Sequence, residues 1–256
     1  MEKVILKNLY KIEKENKIKI LYAVESGSRG WGFESTDSDY DVRFIYIHMP
    51  EWYLSIQDRR DVIEIPIDNL LDINGWDIRK TLILYNKSNP TLLEWLSSPI
   101  IYMEHGFLIK KLKELVNYYF SSKSCIYHYL HMARGNYREY LKGDVVKIKK
   151  YFYVLRPIMA CMWVEKYETQ PPMLFEEMMK SLELNKDLHN EINNLLTKKR
   201  SGIEMNEAKQ IKIINKFLEK KIEYYTKYVK SLNTISKTNL EELDNLFRDT
   251  LKEVWV

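Results

Sequence analysis

Cysteine is nearly missing from this chain. Of 256 residues only Cys125 and Cys161 are cysteines, far apart and inside apolar, helix-like stretches. That excludes a disulfide framework and any Cys-x-x-Cys metal or redox motif, and the expectation is two inert buried thiols in a cytoplasmic protein. Long apolar runs are missing too, and a bilayer span needs about 20 such residues, so no membrane partner is expected. Met1-Glu2-Lys3 opens a stretch that alternates charge with apolar residues, so no signal peptide is expected. No charge of one sign dominates: 40 Lys and Arg against 36 Asp and Glu leave +4, a balance that admits a nucleotide or RNA partner without demanding one. Glycine is rare and uneven. Five of the eight, Gly27, Gly30, Gly32, Gly75 and Gly106, precede residue 107, and no Gly-Lys-Ser/Thr follows them, which excludes a P-loop. Internal repeats and low-complexity linkers are absent.

What is present reads as globular: 45% of residues are hydrophobic and 30% charged, enough for one large domain or two small ones. Residues 2–16 read as an amphipathic helix with Ile5, Leu9 and Ile12 on one face. Ile18 to Val24 is an apolar strand, Tyr40 to Ile47 a second, and Asp61 to Ile67 a third, with helical periodicity returning over 76–87. Asn89-Pro90 supplies a cap and a first-position proline for a helix through Leu96. Beyond residue 107 helix follows helix, marked by Ile126, Leu130, Ala133, Tyr137 and Leu141, then Ile148, Phe152, Leu155, Met159 and Met162. Pro157 is expected to kink or break that second stripe. Ile211, Ile214, Leu218, Ile222 and Tyr225 form a further stripe, read as core before dimer interface, and Thr238 with Glu241 suggests a capping box. The fold class expected is α+β: a mixed-sheet domain over 1–105, then an all-helical domain over 106–256.

The chemistry concentrates in Gly27-Ser28-Arg29-Gly30-Trp31-Gly32 and Asp37-Ser38-Asp39-Tyr40-Asp41-Val42-Arg43. A strand enters a Gly-Ser turn, and the next strand carries Asp39 and Asp41. Residues two apart on a strand share a face, so both carboxylates project together. Like charges held that close repel, and a divalent cation offsets the repulsion. Magnesium prefers oxygen ligands and leaves room for phosphates, so a carboxylate pair beside a glycine turn suits a nucleoside triphosphate. Gly27 admits close backbone approach, and Ser28 and Arg29 add donors.

Gly-Ser followed by Asp-x-Asp resembles the signature of the polymerase β nucleotidyltransferase superfamily. With Gly75-Trp76-Asp77-Ile78-Arg79-Lys80, Ser88-Asn89-Pro90 and Glu94-Trp95-Leu96, the chain looks like the YcgL/RlaP family of predicted nucleotidyltransferases, which genomic context links to RNA repair. The likeness continues, less specifically, through Tyr127-His128-Tyr129 and Lys149-Lys150-Tyr151 to Arg156-Pro157. It implies transfer of a nucleotide from a nucleoside triphosphate with Mg2+ or Mn2+, releasing pyrophosphate. The acceptor would be RNA, with a protein hydroxyl (AMPylation) or a non-catalytic nucleotide sensor as the alternatives. It also implies a third carboxylate: Asp72 first, then Asp77, which would serve equally as a helix cap, then Glu64.

The helical half adds cations. Lys149, Tyr153 and Arg156 fall on one helical face, with Lys150 as alternate to Lys149. They are candidates to contact the nucleotide when the helical domain closes over it, against a plain solvated face. Arg134, Arg138, Lys142 and Lys147, interleaved with Tyr127, Tyr137 and Tyr140, are candidates for an RNA surface, with core packing the competing reading for Tyr137 and Tyr140. His128 and His131 have zinc-like spacing but no acidic or cysteine partner, which favours core or phosphate contact over metal.

Overall fold

The computed structural model describes residues 1–256 except 68–69, 202–206 and 234–238, and only the backbone of 148, 207 and 208. In chain order the elements are α1 (Glu2–Asn16), β1 (Ile18–Glu25), α2 (Gly27–Gly30), β2 (Tyr40–His48), α3 (Pro50–Tyr53), β3 (Val62–Glu64), β4 (Leu71–Asp77), α4 (Ile78–Asn86), α5 (Pro90–Leu96), β5 (Ile101–Glu104) and α6 (Leu108–Tyr119). There follow α7 (Ser122–Tyr140), β6 (Val145–Lys147), a 3₁₀ turn (Ile148–Tyr151), α8 (Phe152–Tyr167), α9 (Phe175–Ser181), α10 (Lys186–Arg200), β7 (Glu207–Lys209), α11 (Lys212–Ser231) and α12 (Leu240–Trp255).

Two compact units result. The first holds residues 1–30, 39–119 and 237–256, the second 31–38 and 120–236. This differs from the single cut expected at 105/106. The helices α6 and α12 stay with the first unit because they are tied to its helices and to each other: Tyr85 of α4 donates to Leu112 O at 2.6 Å, Tyr119 to Asn239 O at 2.8 Å, and Tyr53 of α3 meets Phe247 edge-on at 4.9 Å. Residues 31–38 leave the first unit because Phe33 is buried against Phe152 and Phe175, and Trp31 O accepts from Phe175 N at 3.0 Å.

The first unit is a mixed α+β sheet, ordered β3-β4-β2-β1-β5 among the described residues. Only β2 and β4 run parallel; the other pairs are antiparallel. Ile5, Leu9 and Ile12 of α1 are buried on Ile18, Ile20, Val42, Phe44, Tyr46 and Ile73, as their helical spacing requires. The register sets Asp41 directly beside Asp72 on the parallel pair. Alternation then turns Asp41 and Arg43 away from Val42 and Phe44, and so away from the face that α1 covers. Asn89 caps α5, accepting from Leu92 N at 3.1 Å, with Pro90 at the first helical position.

Among the described residues the regular structure of the second unit is helical apart from the β6–β7 ribbon. Its core joins Ile126, Leu130, Ala133 and Tyr137 of α7, Leu155 and Met159 of α8, and Ile214, Leu218 and Tyr225 of α11, so the α11 stripe is core. Cys125 and Cys161 are buried and neither is part of a disulfide. The helix α8 continues through Pro157, so of a kink or an interruption there the interruption does not occur. Thr238 of the expected capping box lies outside the described residues; Asn239 caps α12, accepting from Glu242 N. No helix among the described residues is long and apolar enough to cross a membrane.

Candidate active site

Strand β1 ends in Glu25, which is buried. Its Oε1 accepts from Asp41 N at 2.7 Å, the Tyr102 hydroxyl donates to Oε2, and its carbonyl accepts from Ser98 Oγ at 2.6 Å. Burial pushes the Glu25 carboxyl above its usual range, and the two donors pull it back. Ser26 N returns a bond to Asp41 O at 2.8 Å. The ends of β1 and β2 are thus locked where the turn begins.

The turn needs glycine. Gly27 has φ +55°, and a Cβ there would lie 1.8 Å from Asp41 Oδ2. The Asp41 carboxylate therefore lies against the bare Cα of Gly27. Ser28 and Arg29 follow in the short α2. The Arg29 guanidinium sits 3.8 Å over the Tyr40 ring, and its Nε donates to Asp39 O at 3.2 Å.

Asp41 and Asp72, neighbours by register, share Arg43. The guanidinium donates from one nitrogen to Asp41 Oδ1 at 3.0 Å and Asp72 Oδ2 at 2.7 Å, and from the other to the carbonyls of Val42 and Asp72. Burial raises the Asp41 carboxyl above the usual carboxylate range. Arg43 opposes this, while the charges of Asp72 and Asp39 add to it. The Asp41 carboxylate thus feels two others, with the Arg43 guanidinium as its counterion. Hard oxygen donors of this kind suit Mg2+ or Mn2+. Among the described residues no three His, Cys, Asp or Glu side chains are grouped to hold a metal as they stand. Arg43 already spans Asp41 and Asp72, so a cation would enter by loosening that bridge.

The other acidic candidates lie elsewhere. Asp77 ends β4 five residues beyond Asp72, about 16 Å away at strand rise, and it caps α4. Its oxygens accept from Arg79 N at 2.8 Å and Tyr53 Oη at 2.7 Å, so the cap reading replaces the metal reading. Glu64 is exposed and pairs with Arg60. The expected helix over 76–87 begins only at Ile78, because Gly75-Trp76-Asp77 completes a strand.

Burial raises the Asp77 carboxyl to about 6, against the donated bonds that favour its ionised form. An acid held above its unfolded value of ~3.9 withdraws stability as pH rises through the folded value, here on the order of 2–3 kcal/mol between pH ~4 and ~6. Asparagine keeps a capping oxygen but cannot ionise. Asp77→Asn should therefore gain stability relative to the parent by about that amount as pH goes from ~4 to ~7 in paired urea melts. A difference independent of pH would refute this account.

In the second unit the expected face of Lys149, Tyr153 and Arg156 does not form. Lys149 and Lys150 lie in the 3₁₀ turn, whose three-residue period breaks the helical register with α8. Lys149 is exposed. Lys150 Nζ lies 4.7 Å from the Tyr153 ring centre and 4.3 Å from that of Tyr140. Arg156 is buried, stacked 4.6 Å over Trp31, and donates to Met173 O at 3.3 Å. Its surroundings are those of a packed side chain. Tyr137 is buried, which matches the packing alternative, whereas Tyr127 is exposed.

Glu25, Tyr102 and Arg43 join the candidate site through hydrogen bonds that the sequence motif does not announce. Glu25 carried a signal: a carboxylate ending a largely apolar strand two residues before Gly27. Arg43 carried another, two residues past Asp41 and so on its face.

Residues 1–249 match the family described as "RlaP: RNA repair pathway DNA polymerase beta family". The chain is 50% identical over 255 residues to the uncharacterized protein YcgL of Bacillus subtilis (strain 168), covering 100% of this chain and 98% of that protein. A crystal structure of a nucleotidyltransferase-like protein from Exiguobacterium sibiricum is also similar, at 12% identity over 87% of this chain and 73% of that one. Its TM-score of 0.31 carries no inference about the site.

Proposed function

The chain belongs to the RNA repair pathway DNA polymerase beta family, and from that membership we propose that it is a metal-dependent nucleotidyltransferase acting on RNA. It would move a nucleoside monophosphate from a nucleoside triphosphate to an RNA hydroxyl, in the cytoplasm. The observation that carries this reading is the pairing of Asp41 with Asp72 across a parallel strand pair, against the bare Cα of Gly27.

Asp39, Asp41 and Asp72 would hold Mg2+ or Mn2+, which supplies a Lewis acid for the acceptor hydroxyl and the leaving oxygens. The chain's residues do the rest. The Gly27 backbone and Ser28 orient the β- and γ-phosphates, and Arg29, braced on Tyr40, offsets their charge. Glu25 fixes the Asp41 backbone and so the direction of its carboxylate. Arg43 keeps Asp41 and Asp72 together before a cation arrives. The acceptor oxygen forms a bond to the α-phosphorus while the bond to the β-bridging oxygen breaks. The hydroxyl proton passes to a base or solvent, and pyrophosphate leaves with the electron pair.

The test is incubation with each α-labelled nucleoside triphosphate, Mg2+ and total RNA. Label on RNA is the expected result. Label on protein alone would replace the RNA acceptor with a protein hydroxyl, and tight triphosphate binding without transfer would replace the enzyme with a sensor.

A further inference from the structure

A cavity of about 540 Å³ opens between α7 and α11 in the second unit. One wall carries His131, Arg134, Arg138 and Lys142, all exposed. They follow at intervals of three, four and four residues, so a single face of α7 and its end presents them in a row. From His131 to Lys142 the row extends about 16 Å at the helical rise. Among the described residues the three permanent cations have no carboxylate or carbonyl partner. The opposite wall holds Glu219 and Glu223, both engaged: Tyr137 donates to Glu219 at 2.7 Å and Lys227 to Glu223 at 2.7 Å. Glu223 is paired with Lys227, so the three cations outnumber the carboxylates of the lining and the cavity keeps an excess of positive charge.

A row of guanidinium and ammonium groups in excess over the carboxylates facing it fits an anion whose charges recur along a line. We propose that this face of α7 holds the phosphate backbone of a single-stranded RNA segment, with Arg134, Arg138 and Lys142 each neutralising one phosphate. The partner's identity as RNA rests on the acceptor assigned above; the face and its charge do not. Contacts of this kind give affinity and register without reading sequence.

The experiment is anisotropy of a labelled, unstructured RNA bound to the full chain across a salt series. The comparison protein is the triple variant Arg134→Gln, Arg138→Gln, Lys142→Gln. Three lost phosphate contacts should reduce the slope of log K against log salt by about 2 and weaken binding about a hundredfold at ~0.1 M salt. Each single substitution should remove about 0.7 from the slope. These side chains are exposed, so matched melting curves and unchanged nucleoside triphosphate binding are expected of every variant. Failure of the parent to bind the RNA, or an unchanged slope in the variants, overturns the proposal. The two readings separate cleanly. Transfer to RNA undiminished in the triple variant would remove this face and leave the transferase, and slope-sensitive RNA binding without transfer would do the reverse.

Discussion

Replacing Asp39 and Asp41 together with asparagine is expected to lower nucleotide transfer by about a thousandfold or more, while the folded state becomes no less stable. The two halves of that result have one cause. Asp41 is pushed above the ordinary carboxylate range first by burial and then by the charges of Asp72 and Asp39, with Arg43 opposing. For an acid whose folded value is raised, stability is highest where the group is protonated and falls as pH rises through that value. At neutral pH the folded chain therefore holds an ionised carboxylate at a cost, as a site built for a cation would. Asparagine removes the charge, and its side-chain oxygen still accepts from Arg43. The melting temperature should stay level or rise at pH ~7, and the gain should vanish in acid, where Asp41 is neutral in the parent too. Activity lost with stability kept assigns the pair to chemistry. Activity lost together with the fold would make Asp41 a structural partner of Arg43, and undiminished transfer would remove both residues from the mechanism.

The legible parts of this molecule were those written in local pattern. Ile5, Leu9 and Ile12 mark α1 with its full length, because a helix buries one face at a fixed period. Asn89-Pro90 marks the start of α5 because cap and first-turn requirements are local. The Gly-Ser turn and Asp39-x-Asp41 are a short linear motif and were readable as such. The strand β4 was not, since Gly75-Trp76-Asp77 sits between an apolar stretch and a helix and its pairing depends on β2, some thirty residues earlier. The apolar flanks Leu71 and Ile73 already favour Asp72 over Asp77, and the parallel pairing is what sets Asp72 beside Asp41. The face expected from Lys149, Tyr153 and Arg156 failed for a related reason. Counting at the α-helical period assumes a continuous α-helix, and a 3₁₀ turn at 148–151 shifts the register. Arg156 then becomes a buried partner of Trp31. The docking of α12 on the first unit is likewise a long-range event, set by Tyr53 against Phe247 and by Tyr119 against Asn239 and Glu242.

Gly27→Ala is expected to abolish most activity by displacing one carboxylate, and the double-mutant cycle with Asp41 can prove the route. The added Cβ would lie 1.8 Å from Asp41 Oδ2, 2.6 Å from its Cγ and 3.1 Å from its Cβ. The main chain of Asp41 cannot yield, because Glu25 holds its amide and Ser26 holds its carbonyl. Relief must come from rotation of the Asp41 side chain, which swings the carboxylate out of its bridge to Arg43 and away from Asp72. A displacement of that size in a metal-holding carboxylate should cost about a hundredfold in transfer. Alanine at φ +55° adds a separate conformational penalty of about 1–2 kcal/mol that does not involve Asp41. The cycle separates the two effects. In an Asp41→Ala background the clash has no partner, so Gly27→Ala should cost only the conformational part. Its cost in the parent should exceed that by at least ~1 kcal/mol, and this excess is the coupling between the two positions. Equal costs in both backgrounds would mean that the carboxylate does not rest on the Gly27 Cα in solution. The Asp41 direction on which the proposed cation site depends would then have to be drawn differently.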